Sequence, residues 1–267
     1  MLVIKIIIKV LKEQRRSLLY WCIGLLAMAV VMSALYPSIR SMPSLDKYIQ
    51  ELPEAMKGFI GGELTDYSTP AGYFTAELYG FMVPLLFLIF GIGAGAGAIA
   101  GEEEKGTLDF LLANPVPRWS AVAAKFGYII SSMLLLAFVL WLGIAVCSWV
   151  IGIDISLLKV AEANLNVLAL SMVFAALALL LGCMTGNRGM SLGISGGLAV
   201  VAFLLNTLGG LVEGLKDWRF LSPFYQYVEP NTLKNGIDGG HFLVLVGLVI
   251  VFFVLSIPAF TRRDLAV

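Results

Sequence analysis

The chain has 267 residues, of which 59% are hydrophobic and only 13% charged, with a mean hydropathy of +0.91. A soluble domain carries roughly a quarter charged residues because its surface must be solvated, so this composition excludes a soluble globular protein and predicts an all-α membrane protein. The formal net charge is zero, and no nucleic acid partner is expected.

Residues 1–16 come first. Lys5, Lys9, Lys12 and Arg16 fall at helical spacing on one side, while Leu2, Ile6, Ile7, Val10 and Leu11 occupy the rest. That pattern predicts an amphipathic helix lying in the membrane interface with its cations on anionic headgroups. A charged flank that orients the first span explains the same residues. Ala27-Met28-Ala29 imitates a signal-peptide cleavage site, but the apolar run continues past it and further spans follow, so no cleavage is expected.

A span needs about 20 apolar residues to cross a hydrocarbon core of roughly 30 Å, and it must be helical to satisfy its own backbone. Six segments qualify, at 17–37, 78–100, 126–152, 164–185, 190–211 and 241–260. The segment 38–77 between the first two is long and acidic, with room for an amphipathic external helix around Ile49–Phe59. Pro84 predicts a kink in the second span. Gly91, Gly93, Gly95, Gly97 and Gly101 alternate with alanine there, a small-residue ridge suited to close helix packing, to a dimer seam or to a moving segment. Gly186-Asn187-Arg188-Gly189 separates the fourth and fifth spans as a tight turn. Gly189, Gly193 and Gly197 predict a second packing ridge. Before the last span, 212–240 carries Trp218, Phe220, Phe224, Tyr225 and Tyr227, which fits an aromatic belt at the membrane surface. Cys22, Cys147 and Cys183 fall inside spans without a CxxC pair, so free thiols are expected.

Charge gives the orientation. With six spans, the gaps 1–16, 101–125, 186–189 and 261–267 hold 11 of the 18 Lys and Arg residues against 6 acids. The gaps 38–77, 153–163 and 212–240 hold 7 against 12 acids. The positive-inside rule then places both termini in the cytoplasm.

Three absences narrow the function. No Asp, Glu, Lys or Arg occupies the middle third of any predicted span, which argues against ion coupling through a buried carboxylate. Gly101 to Thr107 imitates a P-loop, but the phosphate-binding lysine is missing and Glu102, Glu103 and Glu104 would repel a phosphate. Gly193-Ile194-Ser195-Gly196 has the form of an intramembrane serine protease site. Its only possible base is His241, the single histidine, which the topology puts at the far end of the bilayer.

The loop 101–125 differs from an ordinary connector. Acids open it, which suits the positive end of a helix dipole. Leu108, Leu111 and Leu112 follow at helical spacing, Asn114-Pro115 stops the helix, and Arg118 and Lys125 mark re-entry into the membrane. A short amphipathic helix between the second and third spans is predicted, able to rest on lipid or fit a partner's groove.

The run Glu103-Glu104-Lys105-Gly106-Thr107-Leu108, followed by Leu111-Leu112, Pro115, Arg118 and Lys125, resembles the signature of permease subunits in the ABC-2 class of ATP-binding-cassette transporters. Leu52-Pro53-Glu54-Ala55-Met56, Ser68-Thr69-Pro70-Ala71-Gly72-Tyr73 and Leu221-Ser222-Pro223-Phe224-Tyr225 resemble external segments of bacterial multidrug-type members. The resemblance covers essentially the whole chain. It implies a single permease domain over 1–267 in a bacterial cytoplasmic membrane, paired with a second copy or a sibling permease. Two copies of an ABC nucleotide-binding subunit would bind ATP and Mg, with no cofactor on this chain. Glu102, Glu103, Glu104, Gly106, Thr107, Leu108, Leu111, Leu112, Pro115 and Arg118 would form the coupling site, with the helix around Glu102–Leu112 docking on the ATPase. Trp218, Phe220, Phe224 and Tyr225 would line an external gate. The expected function is export of an amphipathic or hydrophobic cargo; an ATP-independent secondary transporter or channel is the alternative.

Overall fold

The computed structural model describes residues 2–41, 69–107, 117–210 and 212–263. The expected external helix around Ile49–Phe59 and the motif Leu52–Met56 lie outside these residues, as do Leu108, Leu111, Leu112 and Pro115 of the coupling signature.

Six helices among the described residues are long and apolar enough to cross a membrane. In chain order the elements are α1 (Leu2–Glu13), α2 (Arg15–Arg40), α3 (Pro70–Ala98), α4 (Ala100–Glu104), α5 (Arg118–Ile151), α6 (Leu157–Thr185), α7 (Arg188–Gly209), α8 (Glu213–Lys216), α9 (Pro223–Val228), α10 (Thr232–Asn235) and α11 (Gly239–Thr261). No strand occurs among the described residues. The spans are α2, α3, α5, α6, α7 and α11, matching the six apolar runs.

The helices begin earlier than hydropathy alone suggests because capping residues start them. Thr69 Oγ1 accepts the Gly72 N–H at 3.2 Å with Pro70 in the first helical position, a strong N-terminal signal. Asn187 caps α7 through the Met190 N–H at 2.8 Å, and Ser156 opens α6. Asp238 accepts the N–H groups of His241 and Gly240 at the start of α11. The His241 N–H bond is the main reason its carboxyl is held below the usual carboxylate range. α5 has 34 residues, roughly 51 Å at about 1.5 Å per residue, so it projects several turns beyond a 30 Å hydrocarbon core. Just before Pro84, where a kink is expected, the eight residues Thr75–Met82 are π-helical, a widened turn that leaves carbonyls free for other partners.

α6 is the hub. Of its apolar window 72% is buried inside the protein, against 11% for α11. It packs along α3, α5, α7 and α11. The α3–α6 contact is close because α3 presents glycine. A Cβ on Gly95 would stand 2.2 Å from the Ala175 carbonyl oxygen, and one on Gly91 3.3 Å from that of Ser171. The ridge on α7 behaves differently. Among the described residues nothing lies within 4 Å of a Cβ placed on Gly193 or Gly197, so the close packing expected there is not made within one chain. Outward faces of α2, α5, α7 and α11 expose Ile23, Phe138, Val201 and Val251, as a lipid-facing surface requires. Tyr73 and Phe74 of α3 pack on Tyr36 of α2, and α1 lies along α5, with Ile7 against Gly127.

Candidate coupling site at the basal end of the bundle

Leu2 and Arg263 bound the described chain at the same end of the bundle, here termed the basal end, where α3 gives way to α4. Ile99 breaks the helix with φ −115° and ψ −59°, and α4 adds one turn containing the three glutamates. Two bonds end it. The Gly106 N–H donates to the Glu103 carbonyl and the Thr107 N–H to that of Glu102, each at 2.9 Å. With Gly106 at φ +64°, this is a Schellman stop, which needs a left-handed residue and so favours glycine. The expectation of one helix opening on the acids and running Glu102–Leu112 is therefore corrected. The acids close a helix at Glu104, and the chain turns at Gly106 before 108–116.

Three carboxylates at a helix C-terminus face the negative end of the dipole, so they need partners, and each finds one on a different element. Glu102 pairs with Lys125 of α5. Glu103 pairs with Arg263, just past α11. Glu104 Oε1 accepts the Arg188 N–H at 2.8 Å, so it sits on the positive N-terminus of α7. Arg263 also donates to the Gly182 and Cys183 carbonyls of α6 at 3.3 and 3.1 Å, the last-turn position that suits a cation. Gly186 ends α6 with φ +66°; a Cβ there would stand 2.9 Å from the Glu103 carboxylate oxygens. Arg118 donates to the Arg263 carbonyl at 2.9 Å and so ties the start of α5 to the end of α11. Lys125 is buried, with its side chain only 4% exposed, against 25% for Glu102. The sequence had placed it outside the third span; α5 starts at Arg118, so it lies two turns inside the helix.

The arrangement is a clasp. One turn of α4 holds α5, α7 and the tail of α11, and through Arg263 the end of α6. Of the expected coupling residues, Glu102, Glu103, Glu104, Gly106, Thr107 and Arg118 come together here. Lys125 entered the sequence argument through the signature, Arg188 as part of a turn and Arg263 as an orienting charge, none of them as a partner of a glutamate. Their partners are distant in sequence, so no local pattern could pair them.

At the opposite end, α8, α9 and α10 cap the bundle. The four residues expected to gate it take different roles. Trp218 and Phe220 are exposed, at 58% and 60%. Phe224 is buried against Phe174 and Phe203. Tyr225 lies between the Arg219 guanidinium and the His241 ring. What holds the cap is a buried network that the sequence reasoning missed. Tyr227 O–H donates to the Tyr79 carbonyl at 2.7 Å, and Tyr79 O–H donates to Asn164 Oδ1 at 2.7 Å. Asn166 Nδ2 donates to Thr232 Oγ1 at 2.9 Å and to the Tyr227 carbonyl at 3.1 Å. Burial pushes the Tyr227 hydroxyl well above the ordinary tyrosine range, so it acts as a neutral donor. Two asparagines near one end of an apolar helix were the available signal. His241 Nδ1 contacts Gln226 Oε1 at 2.7 Å, while Ser195 lies on α7 two turns from the basal end. The protease arrangement is not formed.

Six candidate spans, an uncharged middle and a charge-clasped basal end define a polytopic helical membrane protein. The family model described as "ABC-2 family transporter protein" matches residues 4–265. The chain belongs to that family, and is thus a multi-pass permease component of an ABC transporter, a class whose ATP-binding partner is a separate component. No curated protein gives a significant match to the chain.

Proposed function

We propose that this chain is the membrane-spanning half of an ATP-driven exporter that moves an amphipathic or apolar cargo, such as a drug, peptide or lipid, across a bacterial cytoplasmic membrane. It pairs with a second copy or a sibling permease. Two copies of a nucleotide-binding subunit bind ATP and Mg and dock on the cytoplasmic loop 101–125, to which Leu108, Leu111 and Leu112 contribute apolar residues. The observation that carries this reading is the clasp. A load on that loop reaches α5, α6, α7 and α11 through the side chains of Glu102, Glu103 and Glu104. The family resemblance implies that these glutamates could meet basic residues on the ATPase. Their partners within the chain favour a different division of labour, in which the leucines supply docking area and the glutamates distribute the force. Uncharged span centres support an apolar or amphipathic cargo.

Co-expression with the nucleotide-binding subunit encoded beside this chain tests the reading. A stable complex with ATPase activity that the permease stimulates is expected, and Leu111→Asp should abolish association. A chain that binds no such subunit, yet transports in liposomes under an ion gradient alone, would establish the secondary transporter or channel instead.

A further inference from the structure

The glycines of α3 fall into two sets. Gly91 and Gly95 pack against α6, as described above. Gly93 and Gly97 face elsewhere. Among the described residues nothing lies within 4 Å of a Cβ on Gly93, and only Arg188 Nε, at 3.9 Å, lies within that range of one on Gly97. Helix packing does not require glycine at these two positions, and glycine weakens a helix relative to alanine. What the bare backbone does is leave room.

The room is a cleft of about 770 Å³ between α1, α2, α3 and the start of α5, within the roughly 300–1,000 Å³ typical of small-molecule sites. Its inner part is apolar. Val10 of α1, Gly93 and Gly97 line it, and the Trp21 and Phe90 rings meet edge to face at 5.6 Å. Its basal mouth is charged, with Lys9, Lys105, Lys125 and Arg188 against Glu13 and Glu102. Both carboxylates are engaged, Glu13 at 3.9 Å from Lys9 and Glu102 on Lys125. The Lys105 and Arg188 side chains have no carboxylate partner among the described residues. Arg188 serves the clasp through its backbone N–H alone. Its side chain lies instead beside Gly97 and Gly101.

We propose that this cleft binds one anionic amphiphile, a molecule with a phosphate or carboxylate head and an apolar tail. The head sits between Lys105 and Arg188, where a bidentate guanidinium contact is available. The tail runs along Gly97 and Gly93 to the Trp21–Phe90 pair. A small polar anion would leave the apolar inner part unfilled, and a neutral lipid would leave the two cations unmatched. The chemistry is shared by a bilayer phospholipid and by a free acyl amphiphile entering from water.

Trp21 lies in the wall, so it can report occupancy. The full chain, purified in neutral maltoside micelles with the other four tryptophans (Trp119, Trp141, Trp149 and Trp218) changed to Phe, is titrated with phosphatidylglycerol carrying brominated tails. Saturable quenching of Trp21 is expected, lost in Gly97→Leu. Arg188→Gln should weaken it roughly tenfold, the effect of one charge-assisted hydrogen bond. Brominated phosphatidylcholine should quench only weakly and without saturation. Saturation by the two-chain lipid identifies a bilayer ligand; saturation by a brominated fatty acid alone identifies a free amphiphile. Native mass spectrometry of the unmodified chain gives a second readout, with one retained phosphatidylglycerol that Gly97→Leu loses. Equal quenching by both headgroups, or lipid retention unchanged by Gly97→Leu in a protein of unaltered thermal stability, overturns the proposal. Binding requires neither nucleotide nor ATPase, so its failure is distinct from failure of the exporter reading.

Discussion

Glu102 and Lys125 show how much one residue's surroundings decide. Lys125 is the buried partner, so removing its carboxylate strands a cation without solvent. Glu102→Gln is expected to cost about 2–3 kcal/mol, measured by thermal unfolding in detergent. Lys125→Met should cost less, because the glutamate left behind reaches water. The double variant should recover most of the loss, since replacing both members of a buried pair is often close to neutral. The glycines of α3 offer a matched comparison. Gly95→Ala drives a methyl into the Ala175 carbonyl and should destabilise by about 1–3 kcal/mol. Gly93→Ala, one half-turn away and facing open space, should stabilise by about 0.5–1 kcal/mol. An equal effect at both sites in the same unfolding assay would contradict the assigned faces.

Among the elements, α3 links the two ends of the molecule. Its C-terminal extension α4 carries the clasp, and its π-helical turn supplies the Tyr79 carbonyl that accepts from Tyr227. A displacement of α3 along α6 would therefore be felt by the cap. Tyr227→Phe removes one buried donor and leaves the ring, at a cost of about 1 kcal/mol. The expected sign is faster hydrogen exchange in α9 and α10, with exchange in α5 unchanged. A uniform rise across all helices would point to general destabilisation instead. The turn after α4 was only partly legible. Glu-Lys-Gly-Thr contains a helix-stop glycine, yet the acids pointed toward a helix start. The ambiguity arises because acids favour N-termini only when no cation compensates them elsewhere, and the compensating cations come from positions 125 and 263.

For the whole molecule, orientation matters most, because a load from an ATPase acts only on the cytoplasmic face. The excess of Lys and Arg at the basal end predicts that face to be inside. In a variant lacking the native thiols Cys22, Cys147 and Cys183, a cysteine at Lys105 should react with a membrane-impermeant maleimide only in permeabilised or inverted vesicles. One introduced at Trp218, exposed on the cap, should react in intact cells. The opposite labelling would invert the topology and remove the loop from reach of ATP.

The sequence by itself determined the number of candidate spans and their helicity, because hydropathy over about 20 residues is a property of the local chain. Caps at Thr69, Asn187 and Asp238 were also written locally, though hydropathy windows overlooked them. Tertiary structure alone decided which glycines pack and which leave a cleft, since Gly93 and Gly95 differ only in the direction they face. It alone showed that Glu102, Glu103 and Glu104 hold the bundle together and that Tyr227, Tyr79 and Asn166 hold its cap. Such pairings join residues up to 160 positions apart. Nothing in a local pattern encodes a partner at that distance, and burial of the pair is what gives the contact its strength.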